Sequence, residues 1–158
     1  MSYFRQIANH QVSISNSSVA TQTIAAGSSI DITKSDIGYT PHPLAKKVVY
    51  EGSFYLTTSS RMYCAINLLE YTGGSWSEVD SKDRRSFFTN QYTYGNTNEL
   101  NVYVKYMIDP WQGSRSFKLI LNNRSSSWNA RLHQTMKWEG TTSTDAYIMP
   151  QFMMYSVI

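Results

Sequence analysis

Regular alternation of apolar and polar residues is the feature of this sequence that most restricts its fold. The run NELNVYVKYMI at residues 98–108 shows it most simply. Its apolar row is Leu100, Val102, Val104, Tyr106 and Ile108, and its second row is Asn101, Tyr103, Lys105 and Met107. Because successive side chains of a strand point to opposite faces, this run predicts a strand with one buried face.

Comparable runs recur along the chain, whereas the spacing of amphipathic helices is rare. They lie at residues 46–58, 61–71, 85–94, 115–122 and 127–139, separated by turn signals such as Gly73-Gly74, Gly95-Asn96 and Asp109-Pro110. About eight or nine strands are expected in all, close to the eight of a jelly roll. We therefore predict an all-β, jelly-roll-like antiparallel β-sandwich. An immunoglobulin-like sandwich is the alternative, although its Cys…Trp…Cys spacing is missing.

The chain has 158 residues, a length typical of one domain with a substantial core. Residues 1–45 differ from the rest because they are rich in Ser and Thr with isolated Val and Ile, and Pro41 and Pro43 favour an extended crossing. We predict that residues 1–45 form an N-terminal arm of short strands added to the main sandwich, residues 46–158.

The segment SWNARLHQTMKWE, residues 127–139, predicts another half-buried strand. Its apolar row contains Trp128, Ala130 and Leu132. His133 falls on the opposite row, beside Arg131, and is expected to be solvated.

Composition and charge argue against several classes of function. The net charge of +3 is spread along the chain, so nucleic-acid binding is not expected. No stretch approaches the ~20 apolar residues of a membrane helix, and the N-terminus lacks a signal-peptide core, so we expect no membrane insertion and synthesis in a host cytoplasm. The single cysteine, Cys64, excludes an internal disulfide and is expected to be a buried small hydrophobe.

Linear motifs for catalysis or cofactor binding are missing. His10, His42, His133 and Cys64 show no metal-ligand spacing, and no nucleophile elbow or phosphate-binding loop occurs. We therefore expect no cofactor and no enzymatic activity. Paired carboxylates that meet across strands leave no linear signature, so a jelly-roll glycosidase is the enzymatic alternative that stays open.

Three aromatic residues lie close to turn signals. Tyr92 and Tyr94 precede Gly95, and Trp111 follows Asp109-Pro110. Exposed Tyr and Trp side chains stack on sugars or anchor protein partners, so these residues are candidate contacts for a partner or a glycan.

The C-terminal segment DAYIMPQFMMYSVI, residues 145–158, is apolar on both rows of a strand. One row fills the core, and the other requires a second cover. Tyr and Met are enriched in protein interfaces, and soluble monomers rarely expose a large apolar patch. We predict a subunit interface formed by the second row, which contains Tyr147, Met149, Met153 and Tyr155.

The Ser/Thr-rich start with AAGSSIDIT, the run VVYEGSFYLTT and the aromatic C-terminal strand together resemble compact β proteins of bacteriophage particles. The similarity is to jelly-roll trimers of tumour-necrosis-factor-like shape that serve as capsid decoration proteins or fibre tips. The resemblance implies a homotrimer on a virion surface, with capsid or other virion proteins as partners and no catalytic residue. Pro150 in the last strand departs from the family pattern.

Three functions are thus weighed. The first is a structural capsid decoration protein, and the second is a fibre-tip module that binds a receptor or cell-surface glycan. The third is the jelly-roll glycosidase.

Overall fold

The computed structural model describes residues 7–14, 21–58, 62–80, 85–88, 98–133 and 150–158. Every regular element in these ranges is a β-strand. The strands are β1 (Ile7–Ile14), β2 (Gln22–Ile24), β3 (Ser29–Asp31), β4 (Ile37–Tyr39), β5 (Lys47–Thr58), β6 (Tyr63–Thr72), β7 (Ser75–Glu78), β8 (Arg85–Phe88), β9 (Asn98–Ile108), β10 (Arg115–Asn123), β11 (Ala130–Leu132) and β12 (Gln151–Val157).

The strands form two antiparallel sheets. In the first sheet, β9 pairs with β5 from Val48 to Thr58 and so occupies one edge of β5. Strands β12 and β11 therefore lie end to end along the other edge, and β1 and β2 flank them in turn. In the second sheet, β10 pairs with β6. Strands β7 and β8 lie end to end along the other edge of β6. Strands β4 and β3 lie end to end along the other edge of β10.

Strand order identifies the sandwich type. Four pairs of strands lie end to end: β1 with β2, β3 with β4, β7 with β8, and β11 with β12. When each pair counts as one strand, the twelve described strands become eight. Numbered in chain order, these eight are arranged 1-8-3-6 in the first sheet and 2-7-4-5 in the second. This is the double Greek-key order of a jelly roll. An immunoglobulin domain would join its first, second, fifth and fourth strands in one sheet. The jelly-roll prediction is therefore confirmed, and the immunoglobulin-like alternative is excluded.

The sequence pattern corresponds to burial in most strands. On β9, Val104 and Tyr106 are buried, whereas Tyr103 and Met107 are 63% and 60% exposed. The core between the sheets is built from such inward rows, with large buried side chains that include Tyr50, Phe54, Phe117, Leu119 and Phe152. Cys64 is also fully buried, as expected.

The Gly73-Gly74 turn joins β6 to β7 through a two-residue connection. Both glycines have positive φ, 60° and 86°. A tight hairpin turn whose two central residues have positive φ matches the twist of the flanking strands, which explains why glycine occupies both positions.

The segment 127–139 departs from its prediction. Among residues 127–133 the strand covers Ala130–Leu132, and Trp128 is 47% exposed. Residues 134–139 lie outside the described part of the chain. His133 is fully buried, so its expected solvation is wrong. Its φ of 61° ends the extended conformation, so alternation no longer determines where its side chain points.

One close side-chain contact lies within the pairing of β12 with β5. Phe152 is fully buried and pairs with Gly52 across the two strands. A Cβ atom built on Gly52 would lie 2.1 Å from Cδ1 of Phe152, far inside van der Waals contact. The glycine therefore makes the space that the phenyl ring occupies.

We expect Gly52→Ala to lower the free energy of unfolding by about 1–3 kcal/mol, because the buried ring has to leave its position. Denaturant unfolding measures the change. Gly38→Ala is the matched control, since the nearest atom to its Cβ is 3.8 Å away. Equal stability of the two variants would contradict the close-contact explanation.

Candidate functional site

The outward row of β12 places two of the predicted interface residues on the outer face of the first sheet. Phe152 and Met154 point into the core, and Met153 and Tyr155 alternate with them and are half-buried. The other two predicted residues, Tyr147 and Met149, lie outside the described residues.

The register extends this row across β5 to β9. Val49 lies between Tyr155 and Met107, and Glu51 lies between Met153 and Lys105. Tyr103 follows in the same face, opposite Ser53. Sequence reasoning missed Tyr103 and Met107, although both were visible as aromatic or apolar residues on the polar row of β9.

Glu51 is the polar centre of this face. Its Oε2 atom accepts hydrogen bonds from the hydroxyls of Tyr103 at 3.0 Å and Tyr155 at 3.3 Å. The Lys105 ammonium lies 3.4 Å from the same oxygen. The pKa of Tyr103 is raised, mainly by desolvation and to a lesser degree by the hydrogen bond to Glu51 and the charge of Glu51. The Tyr103 phenol therefore retains its proton and acts as a donor. The carboxylate is thus neutralised by Lys105 and partnered by two phenols.

We call Tyr103, Met107, Met153 and Tyr155, with Glu51 and Lys105, the tyrosine–methionine face. Two of its large side chains are more than half exposed, and its charges are paired within the face. A surface that is apolar around a paired charge can be covered by a protein partner without leaving an uncompensated buried ion.

A cleft of about 470 Å³ lies at one end of the sandwich. It is lined by residues 40–43 and 45 from the β4–β5 connection and by residues 110–113 from the β9–β10 connection. These residues include His42, Trp111 and Gln112 but no Asp or Glu. The cleft therefore offers uncharged walls and a few polar groups, with no carboxylate pair for glycoside hydrolysis.

Trp111, one of the three predicted aromatic contacts, lines this cleft but is partly engaged with the core. Its ring centroid is 4.8 Å from that of Phe117 and 6.3 Å from that of Tyr39, and the Arg115 guanidinium lies 5.5 Å from it. Tyr92 and Tyr94 lie outside the described residues. The structure thus provides the environment of one of these three side chains.

His133 is the most unusual buried polar residue among those described. Neither of its ring nitrogens has a hydrogen-bond partner among the described residues, and its backbone N–H donates to the Tyr55 carbonyl at 2.9 Å. Burial lowers the pKa of the imidazole to about 4, because the site disfavours the charged ring. Burial likewise raises the pKa of the Cys64 thiol to about 11, so this thiol is protonated at neutral pH.

Acid is expected to destabilise the fold through His133. The unfolded chain binds the proton more tightly, so the free energy of unfolding should fall as pH decreases from about 6.5 to about 4, by ~3 kcal/mol. In His133→Asn this decrease in the free energy of unfolding should disappear, since Asn does not titrate and accepts positive φ. Denaturant unfolding measured across this pH range tests it. His42→Gln is the control, and an unchanged pH dependence in His133→Asn would contradict the assignment.

Within the six described ranges, no group of three His, Cys, Asp or Glu side chains is arranged to hold a metal ion. The same ranges contain no helix with the length and apolar character needed to cross a membrane.

Comparison with known proteins gives distant structural similarity. No family model matches the chain, and no curated protein matches its sequence. Among solved structures, the chain is similar to a chain in the structure of the Gx strain of infectious bursal disease virus, with 14% identity and a TM-score of 0.37. The match covers 95% of this chain and 38% of the viral chain. The chain thus spans well under half of that protein.

Proposed function

We propose that the protein is a non-enzymatic structural component of a viral particle that assembles with copies of itself through the tyrosine–methionine face. The observation that carries the proposal is the exposure of Tyr103 and Met107, 63% and 60%, beside the half-buried Met153 and Tyr155 on one sheet face. A face of this composition is typical of the core of a protein interface.

The geometry of the face supports self-association. Glu51 and Lys105 neutralise each other, and both tyrosine hydroxyls already have an acceptor in Glu51. Covering the face would therefore bury apolar surface with little loss of hydrogen bonds to water. Pairing within the face also holds the tyrosine rings in place before a partner arrives, which reduces the entropy lost on association.

The finer identity of the particle and of the assembly rests on the resemblance of the sequence to bacteriophage surface proteins. On that basis the protein is a capsid decoration protein that forms a homotrimer and contacts capsid or other virion proteins. It is made in the host cytoplasm and located on the virion. Its copy number on the particle separates this role from a fibre tip, since hundreds of copies favour decoration and a handful favours a tip.

Charge introduced into the face should dissociate the assembly. Met107→Glu and Met153→Glu each place a second carboxylate near Glu51, so we expect both variants to fall to the 18.1 kDa of a single chain. Light scattering coupled to size exclusion measures the mass. Tyr71→Glu is the matched control, because Tyr71 is 44% exposed but lies on the second sheet. A monomeric wild-type protein, or an unchanged mass in both variants, would contradict the proposal.

The second candidate function is a receptor- or glycan-binding fibre tip, favoured by the position of Trp111 in the cleft. We expect Trp111→Ala to abolish binding on a glycan array if Trp111 is the contact. Because Trp111 also packs on Phe117, the variant needs a check of its unfolding midpoint. Binding that persists in a folded Trp111→Ala variant would remove this residue from the candidate site.

A further inference from the structure

The charges on the outer face of the first sheet are balanced. The described strands of this sheet carry five charged residues, and a sixth directly follows β9; the six are Lys47, Glu51, Glu99, Lys105, Asp109 and Arg131. Salt bridges join Lys47 to Asp109 and Lys105 to Glu51. The other two residues lie on either side of Thr57 in the strand register. Three cations and three carboxylates therefore give this face no net charge.

Glu51 and Lys105 form the pair at the centre of the tyrosine–methionine face. We propose that their opposite charges make this face selective for a second copy of the same chain, an inference that rests on the proposed function. Copies that meet through the centre of one face around a symmetry axis bring identical groups close together. A net charge there would be repelled by the same charge on the neighbouring copy, whereas a balanced pair is not.

The balanced pair is also its own complement. When one copy of the face is rotated onto another, the carboxylate of one pair approaches the ammonium of the other. A strongly acidic or strongly basic partner would gain no net attraction from a neutral face. The hydroxyls of Tyr103 and Tyr155 already donate to Glu51, so the face does not need acceptors from a partner. These properties favour a second copy over a charged protein.

Either charge of the central pair becomes uncompensated when the other is removed. The Glu51 side chain is 18% exposed, and without its charge the face carries an ammonium whose carboxylate is gone. The Lys105 side chain is 45% exposed, and without it the carboxylate keeps its two phenol donors but not its cation. The first change makes the face positive and the second makes it negative. Both should oppose contact between identical copies.

The test uses two single variants of the full chain, Glu51→Gln and Lys105→Gln. Each should weaken self-association about 10- to 100-fold, because like charges then meet at the centre of the contact. A mixture of the two should assemble, since the ammonium of one chain then faces the carboxylate of the other. Native mass spectrometry with ¹⁵N-labelled Glu51→Gln and unlabelled Lys105→Gln distinguishes mixed assemblies from those of either variant alone. The double variant is neutral and should assemble about as the wild type does.

Glu70→Gln is the matched control. It also removes a carboxylate from an ion pair, with Arg115 at 3.2 Å, and the Glu70 side chain is 20% exposed, but this pair lies on the second sheet. It should assemble as the wild type does. Equal weakening in this control would overturn the proposal, because the effect would then follow from total charge.

Single variants that assemble as strongly as the wild type, or a mixture without mixed assemblies, would also overturn it. The unfolding midpoint identifies a variant that does not fold. If Glu51→Gln is such a variant, an unchanged mass of Lys105→Gln is sufficient to overturn the proposal. A monomeric wild type would overturn the proposed function together with this inference, whereas single variants that assemble like an oligomeric wild type would overturn this inference alone.

Discussion

The two-sided pairing of β5 is the constraint on which the first sheet depends. This strand is bonded to β9 along one edge and to β12 and β11 along the other. Its register with β12 places Gly52 opposite Phe152, where no other side chain leaves room for the ring. Since a shift of one residue would turn every side chain of β12 to the opposite face, this contact also determines which row of the C-terminal strand faces outward.

Two surfaces of different shape follow from this arrangement. The tyrosine–methionine face is broad, lies on regular strands and has its charged pair at the centre, which suits a flat protein partner. The cleft lies between two connections that contain prolines, and its lining residues include no Asp or Glu.

The sequence predicted those residues of the candidate site that lie within one strand, and it missed those that are brought together from different strands. Met153 and Tyr155 were expected at an interface because both rows of the C-terminal strand are apolar, and the structure places them on an outer face; their role there stays a prediction. Tyr103 and Met107 join them only through β5, which separates β9 from β12. Tyr155 and Glu51 are 104 residues apart in the chain, and no pattern in either segment indicates that they share a hydrogen bond.

His133 shows where local reasoning fails. Alternation assigned it to the solvated row, but a positive φ at the end of β11 turns the chain, and the side chain is buried. The sequence alone determined the inward rows of long strands such as β9 and the Gly73-Gly74 turn, because alternation and turn conformation depend on adjacent residues. The tertiary structure decided the strand order, the composition of the outer face and the burial of His133. These depend on pairings between distant segments, and pairing energy is not encoded in the pattern of any one segment.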